Sequence, residues 1–243
     1  MKLALLVLAL LVMGSDCDPG PAPPLPGNDY CENTAPSPTR SLFGSEGIIM
    51  GGTPSADRRA TAFVQLGSTG YCSGTVVSAH TVLTAAHCWS EEMGVQIEGQ
   101  SFEATGKLVH PAYQNAPYND LLLLYFDENI LPEPYVSAVY SHDSADSCEM
   151  LVAQGWGKNE DSTLDLRESR YAVVNEMTKT LHTKQLTPGG ICFGDSGGPL
   201  YALVNGELQI AGVTSVTYSN DCMIGSGHVN LAYYKTWFEE NIQ

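Results

Sequence analysis

Ser196 sits in Cys192-Phe193-Gly194-Asp195-Ser196-Gly197-Gly198-Pro199, a run too rich in glycine to favour a helix or a strand. Such a run suits a tight turn in which backbone N–H groups point inward beside the serine hydroxyl. That combination could carry out acyl transfer. The hydroxyl attacks a carbonyl, and the N–H groups hold the oxyanion that forms. A G-x-S-x-G match alone is equally a glycine-rich surface turn. The chemistry therefore depends on a histidine to take the hydroxyl proton and an acid to orient it.

The position of those partners separates two readings. In the nucleophile elbow of α/β-hydrolases the acid and histidine follow the serine, and a helix follows the turn. Here Pro199 to Val204 and Glu207 to Val213 are β-rich runs flanking Asn205-Gly206, a hairpin signal, and His228 is the only histidine after Ser196. The better partners lie upstream: His87 in Thr84-Ala85-Ala86-His87-Cys88, and Asp120 in Asn119-Asp120-Leu121-Leu122-Leu123-Leu124.

TAAHC, NDLLLL and GDSGGP, in that order and at those separations, resemble the motifs of the chymotrypsin/trypsin-like serine proteases. The resemblance covers the chain from about Ile49 onward. It implies a His87, Asp120, Ser196 triad and an oxyanion hole made by the N–H groups of Gly194 and Ser196. It sets Ser215 beside the aspartate. It pairs Cys72 with Cys88 and Cys192 with Cys222, each bridge contributing roughly 2–4 kcal/mol. It leaves Cys17, Cys31 and Cys148, with a Cys31–Cys148 tether as one option. It makes Gly190 the floor of the substrate pocket, with Thr217 and Ser226 as its walls. Trypsin-like members carry an acid at that floor. Without one, a basic side chain would be buried unpaired, so cleavage is expected after small or medium uncharged residues.

The elements that would position these residues read as short β-runs. Ala62 to Leu66, Gly74 to Val77, Thr81 to Thr84, Gly94 to Ile97 and Leu121 to Phe126 form a first set. A segment rich in Pro and acids, about 131 to 146, separates it from a second. The second set comprises Met150 to Ala153, Arg170 to Val174, Leu200 to Val204, Leu208 to Ser215 and Gly227 to Leu231. Regular short strands predict a barrel or sandwich. Tyr234, Trp237 and Phe238 at helical spacing predict a terminal helix. The fold the resemblance implies is all-β: two packed antiparallel β-barrels, about 49–135 and 136–243, with a C-terminal α-helix.

Leu3 to Met13 is an apolar core of signal-peptide length, too short to span a membrane. Residues 1–15 are therefore expected to be a signal peptide, and the chain to be secreted, extracellular or periplasmic. Asp16 before Cys17 disfavours a surface lipoprotein. Residues 16–48 lack apolar periodicity, which fits a flexible leader or a propeptide, and the family resemblance implies the propeptide. In the family a new N-terminus, here Ile49 with Ile48 as the alternative, pairs with the acid before the nucleophile, Asp195. The residues before Ile49 are Gly47-Ile48, without Arg or Lys, so the cut is not one a trypsin-like activity makes. A separate activating protease is the expected partner.

A net charge of −16 argues against nucleic acid and anionic membranes. A hydrophobic fraction of 43% with 16% charged residues fits an ordered globular domain. Glu91, Glu92, Glu98 and Glu103 lack the spacing of a metal loop, so neither metal nor cofactor is expected. His80, His110, His142, His182 and His228 read as structural, and Asp57, Asp127, Asp161 and Asp165 as solvated. The expectation is a secreted serine endopeptidase acting on proteins or peptides and made as a zymogen. A catalytically silent binding protein on the same fold is the alternative, with an esterase-like hydrolase behind it. The intact triad positions favour the enzyme.

Overall fold

The computed structural model describes residues 53–54, 60–68, 70–131, 139–141, 145, 150–157, 165–186, 190–204 and 207–243. The signal peptide, the propeptide, Ile48, Ile49, Cys17, Cys31, Cys148, Asp57, His142, Asp161 and the boundary near 135 lie outside the described residues.

Fifteen strands run through the described residues. They are β1 (Thr53–Pro54), β2 (Thr61–Leu66), β3 (Gly70–Ser78), β4 (Thr81–Thr84), β5 (Gly94–Ile97), β6 (Gln100–Glu103), β7 (Gly106–Val109) and β8 (Leu122–Tyr125). After them come β9 (Val139–Tyr140), β10 (Met150–Gly155), β11 (Arg167–Met177), β12 (Thr180–Gln185), β13 (Pro199–Val204), β14 (Glu207–Thr217) and β15 (Ser226–Asn230). A 3₁₀ turn, Leu231–Tyr234, leads into helix α1, Lys235–Asn241. The strands form two barrel-like sheets, ordered β6-β5-β2-β3-β4-β8-β7 and β1-β11-β10-β13-β14-β15-β12. The fold is all-β with a terminal helix, the class expected from the sequence.

The run Leu121-Leu122-Leu123-Leu124 explains how the two sheets come together. Side chains alternate across a strand, so a continuous apolar run must be buried on both faces. Leu122 and Leu124 point into the first sheet's core with Val64, Val82 and Val95. Leu121 and Leu123 point the other way, into a second core shared with Val213 and Val229 of the second sheet, Tyr234 of the 3₁₀ turn and Phe238 of the terminal helix. All four leucines are fully buried. At about 25 cal/mol per Å² of apolar surface, each such side chain contributes about 1.5–3 kcal/mol. Half of that stabilises one sheet and half joins the two.

The end of the chain crosses back to the first sheet. Tyr125 Oη donates to the carbonyl of Asn241 at 2.9 Å, and the Gln243 N–H donates to Thr81 Oγ1 at 3.1 Å. Ser78 Oγ donates to the Gln243 carbonyl at 2.5 Å.

Five strands, β1, β6, β7, β9 and β12, lie outside the β-runs read from the sequence, and β9 falls within the segment expected to separate the two sets. Strand β6 is an edge with only Phe102 buried, so alternation is barely visible. Strand β12 buries Thr180 and Thr183 as well as Leu181, and buried threonine reads as polar.

Candidate active site

Strand pairing brings the residues together. Strands β4 and β8 are antiparallel, with Thr84 opposite Leu122, so the chain leaving β4 and the chain entering β8 meet at one end. His87 lies just beyond that end of β4, in a 3₁₀ turn over Ala86–Cys88, and Asp120 lies just before β8. The turn before Asp120 needs a left-handed residue, and Asn119 takes it at φ 55°. Tyr234 holds Asn119 in place, accepting from its N–H at 3.1 Å and donating to Oδ1 at 3.0 Å.

Asp120 is fully buried and both its oxygens are engaged. Oδ1 accepts the His87 N–H at 2.9 Å, and Oδ2 lies 2.7 Å from His87 Nδ1. A carboxylate only accepts, so Nδ1 carries the imidazole proton. Ser215 Oγ, from the second sheet, donates to Oδ2 at 2.5 Å. His87 keeps its ring open to solvent, with 29% of the side chain exposed. His87, Asp120 and Ser215 thus form one chain of polar groups across the sheet boundary.

Ser196 sits on the loop that enters β13. The Gly197 N–H donates to the Thr214 carbonyl at 2.8 Å, and the Thr214 N–H returns to Gly198 at 2.9 Å, which fixes the loop beside Ser215. The Ser73 N–H donates to the Ser196 carbonyl at 2.8 Å from the first sheet. Cys88, next to His87, brings its sulfur 3.9 Å from the same carbonyl. A Cβ at Gly197 would stand 2.0 Å from Thr84 Oγ1, so the loop approaches β4 as only glycine allows. Gly194 adopts φ 97°, again in the region open to glycine.

Under the loop lies Asp195, fully buried. The Cys192 N–H reaches Oδ2 at 2.9 Å and the Gly157 N–H reaches Oδ1 at 2.7 Å. Burial still pushes its pKa up to about 7, and those two hydrogen bonds only partly offset the lost hydration. Gly155 and Gly157 form the cradle. A Cβ on either would come within 2.1 Å and 2.3 Å of the carboxyl.

Of the residues expected to line a substrate pocket, Thr217 ends β14, Ser226 starts β15 and Gly190 precedes the Ser196 loop. Gly190 is buried, and a Cβ there would meet the Cys222 carbonyl at 1.5 Å, so no acid fits at that position. Ile191 is buried beside it, whereas Phe193 is 65% exposed. Thr217 pairs with Ser226 in the ladder, and its Oγ1 donates to Ser219. Ser226 Oγ is engaged at 3.0 Å by both Thr183 and His228. His228 is fully buried among hydroxyls, and burial with nearby His182 pushes its pKa down to about 3, so it stays neutral. Disulfides join Cys72 to Cys88 and Cys192 to Cys222, bracing the His87 turn and the Ser196 loop. Among the described residues no three acidic, histidine or cysteine side chains gather as metal ligands.

The sequence model of the trypsin family matches residues 49–238. The chain belongs to the trypsin family. Among its relatives is chymotrypsin-like elastase family member 1 of Rattus norvegicus, 29% identical over 188 residues, covering 63% of this chain and 70% of that protein. Trypsin-3 of Salmo salar is 28% identical over 201 residues, covering 71% and 83%. Kallikrein-4 of Homo sapiens is 28% identical over 206 residues, covering 71% and 78%. The fold is that of mouse neuropsin, a serine protease. That structure superposes with a TM-score of 0.67 at 18% identity, over 77% of this chain and 96% of the other.

Two contributors to the site carry no sequence signal. Ser73 reads as an ordinary strand residue after Cys72, and Trp156 as an aromatic between glycines. The pair Gly155 and Gly157 did carry one: two glycines ending a strand mark a close approach, here that of Asp195.

Proposed function

We propose that this trypsin-family chain is a secreted serine endopeptidase in which Ser196 is the nucleophile. His87 takes the hydroxyl proton as Oγ attacks the scissile carbonyl, and returns it to the leaving amine. Water then hydrolyses the acyl-enzyme by the same route in reverse. Asp120 fixes the imidazole tautomer and stabilises the imidazolium, while the N–H groups of Gly194 and Ser196 hold the oxyanion. The observation that carries this reading is the His87–Asp120–Ser215 chain, which ends beside the tethered Ser196 loop.

Activation follows from Asp195. Burial pushes this carboxyl, held by two N–H groups, towards its neutral form, and an ammonium beside it would favour the ionised one. The new α-amine at Ile49, freed by another protease, is that ammonium. Gly190, which leaves no room for an acid, supports a preference for small or medium uncharged residues before the cut.

A fluorophosphonate serine probe tests the class before and after limited proteolysis. Labelling that appears with cleavage, and is absent in Ser196→Ala, supports a zymogen protease. Peptide hydrolysis by Ser196→Ala should fall by at least about 10⁴-fold while inhibitor binding persists. Absence of labelling in every form would instead favour the silent binding protein. A peptide library showing strong preference for Arg or Lys would overturn the pocket assignment.

A further inference from the structure

Ser73 is fully buried in β3, and each of its polar groups is committed. Its N–H donates to the Ser196 carbonyl at 2.8 Å, and its own carbonyl accepts from Thr84 Oγ1 at 2.7 Å. Its hydroxyl accepts the Trp156 N–H at 2.8 Å and donates to the Gly194 carbonyl at 2.9 Å. The proton's position admits no alternative, because an amide N–H only donates and a carbonyl only accepts. One residue of the first sheet therefore grips, from behind, both residues whose N–H groups face the oxyanion. Through Trp156 it also reaches Gly157, whose N–H orients Asp195.

Gly194 is where such a grip matters most. At φ 97° and without a side chain, it has neighbouring backbone wells open to it. Rotation about its Cα–C bond is limited by what holds the Gly194–Asp195 peptide at its two ends, the Ser73 hydroxyl on the carbonyl and the Cys192 carbonyl, at 3.1 Å, on the Asp195 N–H. In the interior an unmade bond leaves a desolvated acceptor that will turn to find a donor. Turning it swings the Gly194–Asp195 peptide and the Ser196 N–H that follows. The loop also runs close to Ser73 further on, where a Cβ at Gly198 would stand 3.1 Å from Ser73 Cβ.

We propose that Ser73 is a positioning residue of the hydrolytic reaction, whose hydroxyl clamps the Gly194 carbonyl so that the Gly194 and Ser196 N–H groups stay convergent on the oxyanion. This rests on the endopeptidase reading above. Ser73 touches no substrate; it acts through Gly194. Its effect belongs to the transition state, where charge on the oxyanion is greatest, and not to substrate docking.

The test compares wild type, Ser73→Ala and Ser73→Cys in the form that labels with fluorophosphonate. It reads kcat and KM on a peptide amide, inhibition by a peptide aldehyde whose hemiacetal carries an oxyanion, and thermal melting. Loss of a direct oxyanion donor costs about 10²–10³-fold in rate, so loss of its clamp should cost about 10–10²-fold. We expect that loss in kcat for Ser73→Ala, with KM within about threefold and aldehyde affinity falling alongside kcat. Ser73→Cys, a near-isostere with a weak donor, should fall between the two with melting unchanged. If Ser73→Ala fails to fold, Ser73→Cys decides alone. A kcat within about threefold of wild type in a folded variant overturns the proposal. So does a loss confined to KM, or one that leaves aldehyde affinity untouched. A wild type that hydrolyses no peptide and never labels overturns the endopeptidase reading itself, a different result from an active wild type matched by its variants.

Discussion

His87 and Asp120 are held by a short antiparallel ladder and a run of leucines, whereas Ser196 stands on a glycine loop laid over a buried carboxylate. In the first sheet the His87 N–H, its Nδ1 and both Asp120 carboxylate oxygens have near partners, and the leucines behind Asp120 are locked into two cores. In the second, the supporting group is Asp195, whose environment pushes it towards the neutral form. One half of the site is held by hydrogen bonds and packing that call for no added charge, those from Ser215 and Tyr234 beyond its own sheet included. The other half is conditional on a charge, and so responds to pH and to processing in ways the first cannot.

That contrast can be broken most sharply at Asp120. Asp120→Asn should keep the fold but present the wrong hydrogen to the imidazole, lowering kcat by about 10⁴-fold with KM little changed. Steady-state kinetics on a peptide substrate read this. A loss of stability comparable to the loss of rate would mean that the Asp120 charge also holds the first half together.

The second test concerns Asp195 in the uncleaved chain. The native state holds a proton up to about pH 7 that the unfolded chain releases near 3.8. The contribution is therefore fully present below about pH 4 and is lost as pH rises through about 7. At about 1.4 kcal/mol per unit, the whole effect is about 4 kcal/mol. Urea melts between pH 4 and 8 should show this decline in wild type and a flatter profile in Asp195→Asn. Equal slopes would mean that a cation already neutralises the carboxylate before cleavage.

The smallest expected effect sharpens the same point. Gly157→Ala puts a methyl group 2.3 Å from the Asp195 carboxyl and should destabilise by about 1–3 kcal/mol, while also slowing hydrolysis. Thermal melting and kcat together read it. A surface glycine such as Gly99, with open space around it, gives the control for packing, although its φ of 79° adds backbone strain of its own.

Much of the site was legible because its chemistry is written in short motifs. Asp120 precedes four leucines that can only be a strand buried on both faces, and His87 sits between a strand and a bridging cysteine. The terminal helix was legible from Tyr234, Trp237 and Phe238. What stayed hidden depends on contacts between distant parts of the chain. Ser73 and Gly194 are 121 residues apart, and nothing local distinguishes a strand serine that clamps a carbonyl from one that faces water. His228 was expected to be structural, but its burial among Thr183, Thr214 and Ser226 depends on the register of three strands. Strands β6 and β12 were missed because one is a polar edge and the other hides threonines inside.

The last residues of the chain fasten onto Ser78, Thr81 and Tyr125, on the sheet that does not carry their helix. They work as a clasp: a second tie, apart from the shared leucine core, fastens the chain that left the second sheet back onto the first.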